Sequence, residues 1–190
     1  MRFKRNVVSN MSENMKIERY LSHRPFREIE NKVMTAICVL FKNDVFLLKN
    51  AVHERSICHK LAEYLQQQFP EYNIDCEYNK HGIYVKSLSR ECHNEKQEKV
   101  YPDIVVHKRG VVNKYNLLVI EAKSKHYRDK CDEEKLKLFT KSNGNYKYRY
   151  GLFIGFNGIQ EPLMAWFKDG AEVKNGKGEP ENKKSEEKEK

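Results

Sequence analysis

Residues 102–123, PDIVVHKRGVVNKYNLLVIEAK, decide the fold because they hold two apolar runs joined by a polar segment. The runs at 103–107 and 117–122 are short, rich in β-branched residues and bounded by polar ones, which predicts two strands. Gly110 lies in the segment between them, so we expect a turn and an antiparallel hairpin. The pattern therefore fixes which residues of the two strands stand opposite each other.

The hairpin brings acidic residues together at one end. With the turn centred near residue 112, Asp103 stands opposite Glu121, and alternation along the strand puts Lys123 on the same face as Glu121. Convergent carboxylates at the end of an apolar sheet repel one another, and they either take up protons or bind a cation. Their oxygen ligands suit a hard cation such as Mg²⁺. Glu54 faces the sheet from the first turn of a preceding helix, where it either completes the acidic cluster or only complements the helix dipole.

The flanking sequence predicts the rest of the core. Asn50 is expected to cap a helix over 51–69, and Asp132 a second helix. The order helix, strand, strand, strand, helix, strand predicts a mixed α/β fold. The additional strands are NIDCEY at 73–78 and YGLFIGF at 150–156, with PLMAWF at 162–167 closing the body and a polar loop or hairpin over 79–100.

We expect three regions along the chain. Residues 1–49 form an N-terminal helical extension, with helices over 12–21 and from Pro25 onward. Residues 50–169 form the α/β core. Residues 170–190 are rich in lysine and glutamate, lack aromatic residues and are expected to be disordered.

Composition narrows the class of protein. The chain has 190 residues and a net charge of +9, with the excess in the body and the N-terminal region rather than in the tail. The mean hydropathy is −0.85 and no apolar run approaches a membrane span, so we expect a cytoplasmic protein with no membrane partner and no signal peptide. Five cysteines without a CxxC pair are expected to be reduced thiols. The positive charge alone leaves a nucleic-acid partner and a merely basic surface equally open.

These residues resemble the PD-(D/E)xK nuclease superfamily, which has the restriction-endonuclease-like fold. The resemblance rests on Pro102-Asp103 and on Glu121-Ala122-Lys123 at the end of an apolar run, with Glu54 matching the acid that many members carry on the preceding helix. It covers residues 50–157 in the αβββαβ order of that core. More loosely, the segments HERSICHKLAEYLQQQFP at 53–70, DCEYNK at 75–80 and VYPDIVVHKRG at 100–110 together resemble a family of small uncharacterised nuclease-like proteins and Holliday-junction resolvases.

The resemblance implies a metal-dependent DNA endonuclease. Asp103, Glu121 and the backbone carbonyl of Ala122 are then expected to hold Mg²⁺ or Mn²⁺ with the help of Glu54, while Lys123 positions or deprotonates the attacking water. Hydrolysis of the phosphodiester leaves 5′-phosphate and 3′-hydroxyl ends. A catalytically inactive nucleic-acid-binding or assembly module, and an RNA-directed nuclease, remain alternatives. A homodimer is also possible.

Several other polar residues are candidates for contacts with the DNA backbone, because a cleft that binds a polyanion must be basic. Three tyrosines, Tyr146, Tyr148 and Tyr150, either stack on unpaired bases or pack at a strand edge. The phosphate-contact candidates are Asn79, Lys80, Lys108, Arg109, Lys125, Arg128, Lys147 and Arg149.

Overall fold

The computed structural model describes residues 26–50, 52–82, 84–91 and 97–173. These residues form four helices, a six-stranded mixed sheet and two small two-stranded sheets, so the predicted mixed α/β class is confirmed. The helices are α1 over 26–43, α2 (Val45–Lys49), α3 (Glu54–Gln68) and α4 (Lys130–Thr140). The strands are β1 (Asn73–Cys76), β2 (Lys80–His81), β3 (Tyr84–Val85), β4 (Ser87–Ser89), β5 (Gln97–Lys99), β6 (Ile104–His107), β7 (Leu118–Lys123), β8 (Tyr150–Asn157), β9 (Gln160–Lys168) and β10 (Ala171–Glu172).

The large sheet has the strand order β1-β6-β7-β8-β9-β10. Its β6–β7 hairpin has Ile104 opposite Ile120, which is the register that the sequence predicted. Strands β7 and β8 are parallel, and α4 makes the crossover that a parallel pair requires. Within the large sheet and its helices, the predicted order of one helix, three strands, one helix and one strand corresponds to α3, β1, β6, β7, α4 and β8, while β2 to β5 lie between β1 and β6 in the two small sheets.

Helices cover both faces of the sheet. On one face, Val33 of α1 and Leu61 of α3 share an apolar cluster with Ile120 of β7. On the other face, Leu136 of α4 belongs to a second cluster with Val119 of β7. Since β7 is buried on both sides, its sequence is a nearly continuous apolar run rather than an alternating one.

Two predicted helix caps are wrong. Asn50 ends α2, where its side chain donates to the Phe46 carbonyl at 2.8 Å, and α3 begins later with His53 as its N-cap. Asp129, not Asp132, caps α4 by accepting hydrogen bonds from the backbone N–H groups of the next turn. Helix α4 begins earlier in the chain than the spacing of apolar residues suggested. Asp132 therefore does not cap the helix, and its carboxylate can contact other groups.

The remaining predictions about the chain have mixed outcomes. Residues 79–100 include two short hairpins, β2–β3 and β4–β5. The helix predicted over 12–21 and the disordered tail lie mostly or wholly outside the described residues, so the three regional boundaries remain predictions. Cys38, Cys58, Cys76 and Cys131 are free thiols, as expected. None of the described helices is long and apolar enough to cross a bilayer.

Candidate active site

Strand register places Asp103 and Glu121 side by side at one end of the β6–β7 hairpin. Asp103 directly precedes β6, and Glu121 lies on β7 on the face that α4 covers, beyond Val119. The Asp103 carboxylate accepts a hydrogen bond of 2.8 Å from the backbone N–H of Ala122. Glu121 is 1% exposed, so its charge is removed from water almost completely. The pair of carboxylates expected from the sequence is therefore formed.

Helix α4 adds two residues to this pair that sequence reasoning missed. Lys135 Nζ lies 2.5 Å from Glu121 Oε2 and 2.7 Å from Asp132 Oδ1. Asp132 is 4% exposed and stands one turn before Lys135 on the same face of the helix. The signal was present in the sequence, because Asp132 shares a helical face with the core residues Leu136 and Phe139.

Lys123 forms ion pairs with acidic residues from helices on both faces of the sheet. Its Nζ lies 2.8 Å from Asp132 Oδ2 on α4 and 3.8 Å from Glu54 Oε1 on α3. Glu54 comes from the first turn of α3, on the opposite face of the sheet, and reaches the site around the end of β7. Of the two open interpretations of Glu54, membership in the acidic cluster is therefore the one that this contact favours.

Burial dominates the electrostatics of the two central carboxyl groups. It raises the pKa of Asp103 to about 6, against the hydrogen bond from Ala122 and the nearby charges of Lys135 and Lys123. Burial likewise raises the pKa of Glu121 well above its usual value, and the Lys135 ammonium opposes that shift. Each acid is a poor place for an uncompensated negative charge, so a cation beside them is stabilising.

In the neighbouring ion pairs, the charges of the partners outweigh burial, so each group is stabilised in its charged form. Burial acts to lower the pKa of Lys123, but its hydrogen bond with Asp132 and the charges of Asp132 and Glu54 raise it overall. The pKa of Lys135 is raised in the same way, by the charges of Glu121 and Asp132, despite burial. For Asp132, burial is outweighed by the two lysines, which lower its pKa. Both lysines are therefore fully protonated at neutral pH.

The oxygen atoms at the site fit a hard divalent cation. Glu121 Oε1 is buried and has no hydrogen-bond partner among the described residues, so one acceptor stays unsatisfied while Lys135 binds the other. The N–H and C=O of one strand residue point toward the same neighbouring strand, so the Ala122 carbonyl is directed to the side of Asp103. No three His, Cys, Asp or Glu side chains in the described ranges are close enough to form a preassembled metal cluster. Lysines lie among these carboxylates instead.

A cleft leads from the surface to the acids. It has a volume of about 360 Å³ and contains Glu54 and Asp103 in its wall, together with His53, Arg55, Glu77 and Tyr101. Arg55 Nε lies 2.6 Å from Glu77 Oε1 across this wall. The ring of Tyr101 is half exposed, which leaves an aromatic surface beside the acids. An extended substrate can therefore reach Asp103 and Glu54 from solvent.

The predicted phosphate contacts do not gather at this cleft. Lys125 and Arg128 follow β7 and are on the same side as Glu121, but Arg128 pairs with Glu133 and Glu172. Arg109 follows the far end of β6 and pairs with Asp75. The other candidates at that far edge are Lys80 and Lys108, which line a separate pocket, Asn79, which precedes β2, and Lys147 and Arg149, which precede β8.

The three tyrosines are core residues. Tyr146, Tyr148 and Tyr150 are each 5% exposed or less, and Tyr146 packs against Phe139 with ring centroids 5.1 Å apart. Stacking of these rings on unpaired bases is therefore wrong, and the packing alternative is confirmed.

No family model matches this chain, and no curated protein matches it in sequence. Function is therefore inferred from the geometry and chemistry of the site itself.

Proposed function

We propose that this chain is a metal-dependent DNA endonuclease with the PD-(D/E)xK, restriction-endonuclease-like fold. The observation that carries the proposal is the position of Asp103 and Glu121, opposed on one face of a hairpin, with a buried unsatisfied oxygen on Glu121. Lys123 lies two residues beyond Glu121 on the same face. Two buried carboxylates with only a structural role would destabilise the fold, because each loses its hydration.

The site residues have distinct roles in this proposal. Asp103, Glu121 and the Ala122 carbonyl hold Mg²⁺ or Mn²⁺, with Glu54 as a further acid from α3. When bound, the cation neutralises charge on the scissile phosphate and activates a water molecule. Lys123 is held by Asp132 at 2.8 Å, so its ammonium group is fixed beside the acids and can hydrogen-bond the attacking water or the phosphate.

The cleft supports a polymeric substrate. Its opening exposes Glu54 and Asp103 while Glu121 stays buried behind them. Lys125 follows β7, is exposed and lies on the site side of the sheet, where it can contact a neighbouring phosphate. A DNA strand that enters the cleft therefore meets the acids and an exposed lysine on the same side of the protein.

A cleavage assay tests the proposal. Supercoiled plasmid, linear duplex, single-stranded DNA, branched DNA and RNA are each offered with Mg²⁺, Mn²⁺ or EDTA. We expect metal-dependent cutting of DNA that is lost in Asp103→Asn and in Glu121→Gln, and kept in the control Asp169→Asn, which changes an exposed acid outside the site. Cutting that persists in EDTA, or in both site variants, would place the chemistry elsewhere. Preferential cutting of RNA would identify an RNA-directed nuclease instead.

A noncatalytic nucleic-acid-binding module is the second candidate. It is favoured by Lys135, which already neutralises Glu121 at 2.5 Å without a metal. Calorimetric titration with Mn²⁺ separates the two candidates. The nuclease binds the ion and loses that binding in Asp103→Asn, whereas a binding module of this kind has no metal-dependent heat at the site.

A further inference from the structure

A basic surface lies at the end of the large sheet opposite the candidate active site. Lys108 follows Asp103 by five residues of extended chain, or about 17 Å, so one phosphate group cannot contact residues at both ends. We call this surface the far-edge surface. It consists of the β2–β3 hairpin region over 78–82 and 84–86, the β6–β7 connection over 107–116, and residues 145–149 before β8.

Direct contacts hold the three segments of the far-edge surface together. The Arg149 backbone N–H donates to the Asn116 carbonyl at 2.9 Å, and the Asn116 side-chain amide donates to the Tyr146 carbonyl at 2.6 Å. A Cβ on Gly82 would lie 3.2 Å from Val112 Cγ2, so the β2–β3 turn packs against the β6–β7 connection. The segments therefore form one continuous surface.

The far-edge surface is basic and has no acidic residue of its own. Its segments contain seven lysine and arginine residues and no Asp or Glu, although the whole chain has 27 acidic residues against 36 basic ones. Asp75 of β1 borders the surface, but its carboxylate pairs with Arg109 and lies 2.9 Å from His107 Nε2. A surface of this kind attracts a polyanion. Within the described ranges, the basic residues that reach solvent without an ion pair are Lys80, Lys108, Lys114, Lys147 and Arg149.

Like charges lie close together around one aromatic ring of this surface. The ammonium groups of Lys108 and Lys114 are 4.8 and 5.2 Å from the centroid of the Tyr115 ring. The ring attracts each cation, but the two cations repel each other. A bound anion would relieve that repulsion.

The backbone at Lys147 is strained. Its φ is +50°, in the left-handed region that glycine adopts readily and a lysine does not. The neighbouring Tyr146 and Tyr148 are buried, and Lys147 is exposed between them. Strained residues of this kind are concentrated at functional sites. The conformation destabilises the fold, but it keeps a lysine rather than a glycine on the far-edge surface.

Exposed aromatic and apolar side chains accompany the charge. Tyr84 is 72% exposed and Val112 is 49% exposed, although both could pack in a core. Every nucleobase has a π-face that can stack on an aromatic ring, and an unpaired strand leaves that face free. An acidic peptide would satisfy the charge but would not need an exposed ring. The combination of charge and ring therefore favours an unpaired nucleic-acid strand.

We propose that the far-edge surface binds a single-stranded nucleic acid. Tyr84 stacks on a base, and the lysines and arginine around it contact consecutive phosphates. This site is separate from the cleft that contains Asp103, and it needs no metal ion. The proposal therefore does not rest on the proposed nuclease function. The phosphate contacts are Lys80, Lys108, Lys114, Lys147 and Arg149.

Fluorescence anisotropy of a short labelled oligothymidine measures this binding, with the full chain in EDTA over a range of salt concentrations. The double variant Lys147→Gln, Arg149→Gln removes two phosphate contacts. We expect it to weaken binding at least about tenfold near 0.1 M salt and to reduce the slope of log affinity against log salt by about 1.4. Tyr84→Ala should weaken binding by about fivefold or more. The matched control Lys42→Gln, Lys49→Gln removes the same charge from exposed positions of α1 and α2 and should leave the affinity unchanged.

A further variant separates loss of binding from loss of folding. Glycine adopts a φ of +50° without strain, so Lys147→Gly should raise the midpoint of urea unfolding. The same variant should weaken oligothymidine binding, because it lacks the ammonium group. A weaker affinity in a more stable protein cannot result from unfolding.

Three results would overturn the proposal. The first is equal oligothymidine affinity in wild type and in the double variant Lys147→Gln, Arg149→Gln. The second is tighter binding of duplex DNA than of the oligothymidine, with no effect of Tyr84→Ala. The third is equally effective competition by polyglutamate, which would identify an acidic protein as the partner. Since all of these measurements are made in EDTA, their outcome is independent of whether Asp103→Asn abolishes cleavage.

Discussion

Replacing Lys135 with methionine should destabilise the protein in a way that depends on pH. In the described part of the chain, Lys135 supplies the only ion pair of Glu121, a residue that is 1% exposed. Methionine has a similar length and leaves no large cavity, so the main loss is the positive charge. Asp132 keeps Lys123 as a partner in the variant. Glu121 is left with either an uncompensated buried charge or a proton.

The free-energy cost of protonating Glu121 sets an upper limit on the loss of stability in the variant. Protonating Glu121 at pH 7 costs about 1.4 kcal/mol for each pH unit above the unfolded-state pKa near 4.3, or about 4 kcal/mol in all. This limit agrees with the roughly 3–5 kcal/mol lost when one partner of a buried ion pair is removed. At pH 5 the same limit falls to about 1 kcal/mol. The folded-state pKa is raised, so the penalty is present above the unfolded-state pKa and disappears as the pH falls toward it.

Urea unfolding at pH 7 and pH 5 in EDTA measures the prediction. Lys137→Met on the same helix is the control and should change the unfolding free energy by no more than about 0.5 kcal/mol. The double variant Glu121→Gln, Lys135→Met should regain most of the stability, because it leaves no charge buried at this position. An equal loss at both pH values would show that Glu121 is uncharged in the native protein, which would refute the ion pair as the source of stability.

Three further outcomes follow from other parts of the structure. Because the pKa of Asp103 is about 6, Mn²⁺ affinity should fall roughly tenfold between pH 7 and pH 5 in calorimetric titrations, and a flat profile would exclude Asp103 as a ligand. Lys86→Met should raise the unfolding free energy by about 3 kcal/mol below pH 8, with the gain disappearing above pH ~10.5, since the native pKa of Lys86 is lowered to about 8. Gly151→Ala should lower the unfolding free energy by about 1–3 kcal/mol, because its Cβ would lie 3.1 Å from Thr140 Cγ2 and 3.3 Å from Leu136 Cδ2, and unchanged urea unfolding would show that α4 can shift.

The hairpin was predictable because its information is local. Two apolar runs and one turn determine which residues face each other, so Asp103 and Glu121 could be paired without any knowledge of the rest of the chain. The contribution of α4 depends on a long-range arrangement instead. Nothing near Asp132 in the sequence shows that Lys123 of another element will neutralise it, so helix capping was the simpler interpretation, and it was wrong.

The positions of the basic residues in the fold were partly predictable from the sequence. Asp103 precedes β6, whereas Lys108 and Arg109 follow it, so the two groups had to lie at opposite ends of the same strand. The residue numbers alone do not show this separation. The direction of strand β6 does. Pairing of Arg109 with Asp75 could not be foreseen in the same way, because it joins residues 34 positions apart.

Strand β10, at one edge of the large sheet, affects whether the protein associates with other copies of itself. Strand β10 has two residues, and Arg128 ties its Glu172 to Glu133 of α4. An edge so short, with a charged side chain held across it, offers few free backbone groups to a passing chain. The sheet is thus protected at this end against edge-to-edge association and fibrillar growth. Neutralising Arg128 would weaken that protection before it altered the core.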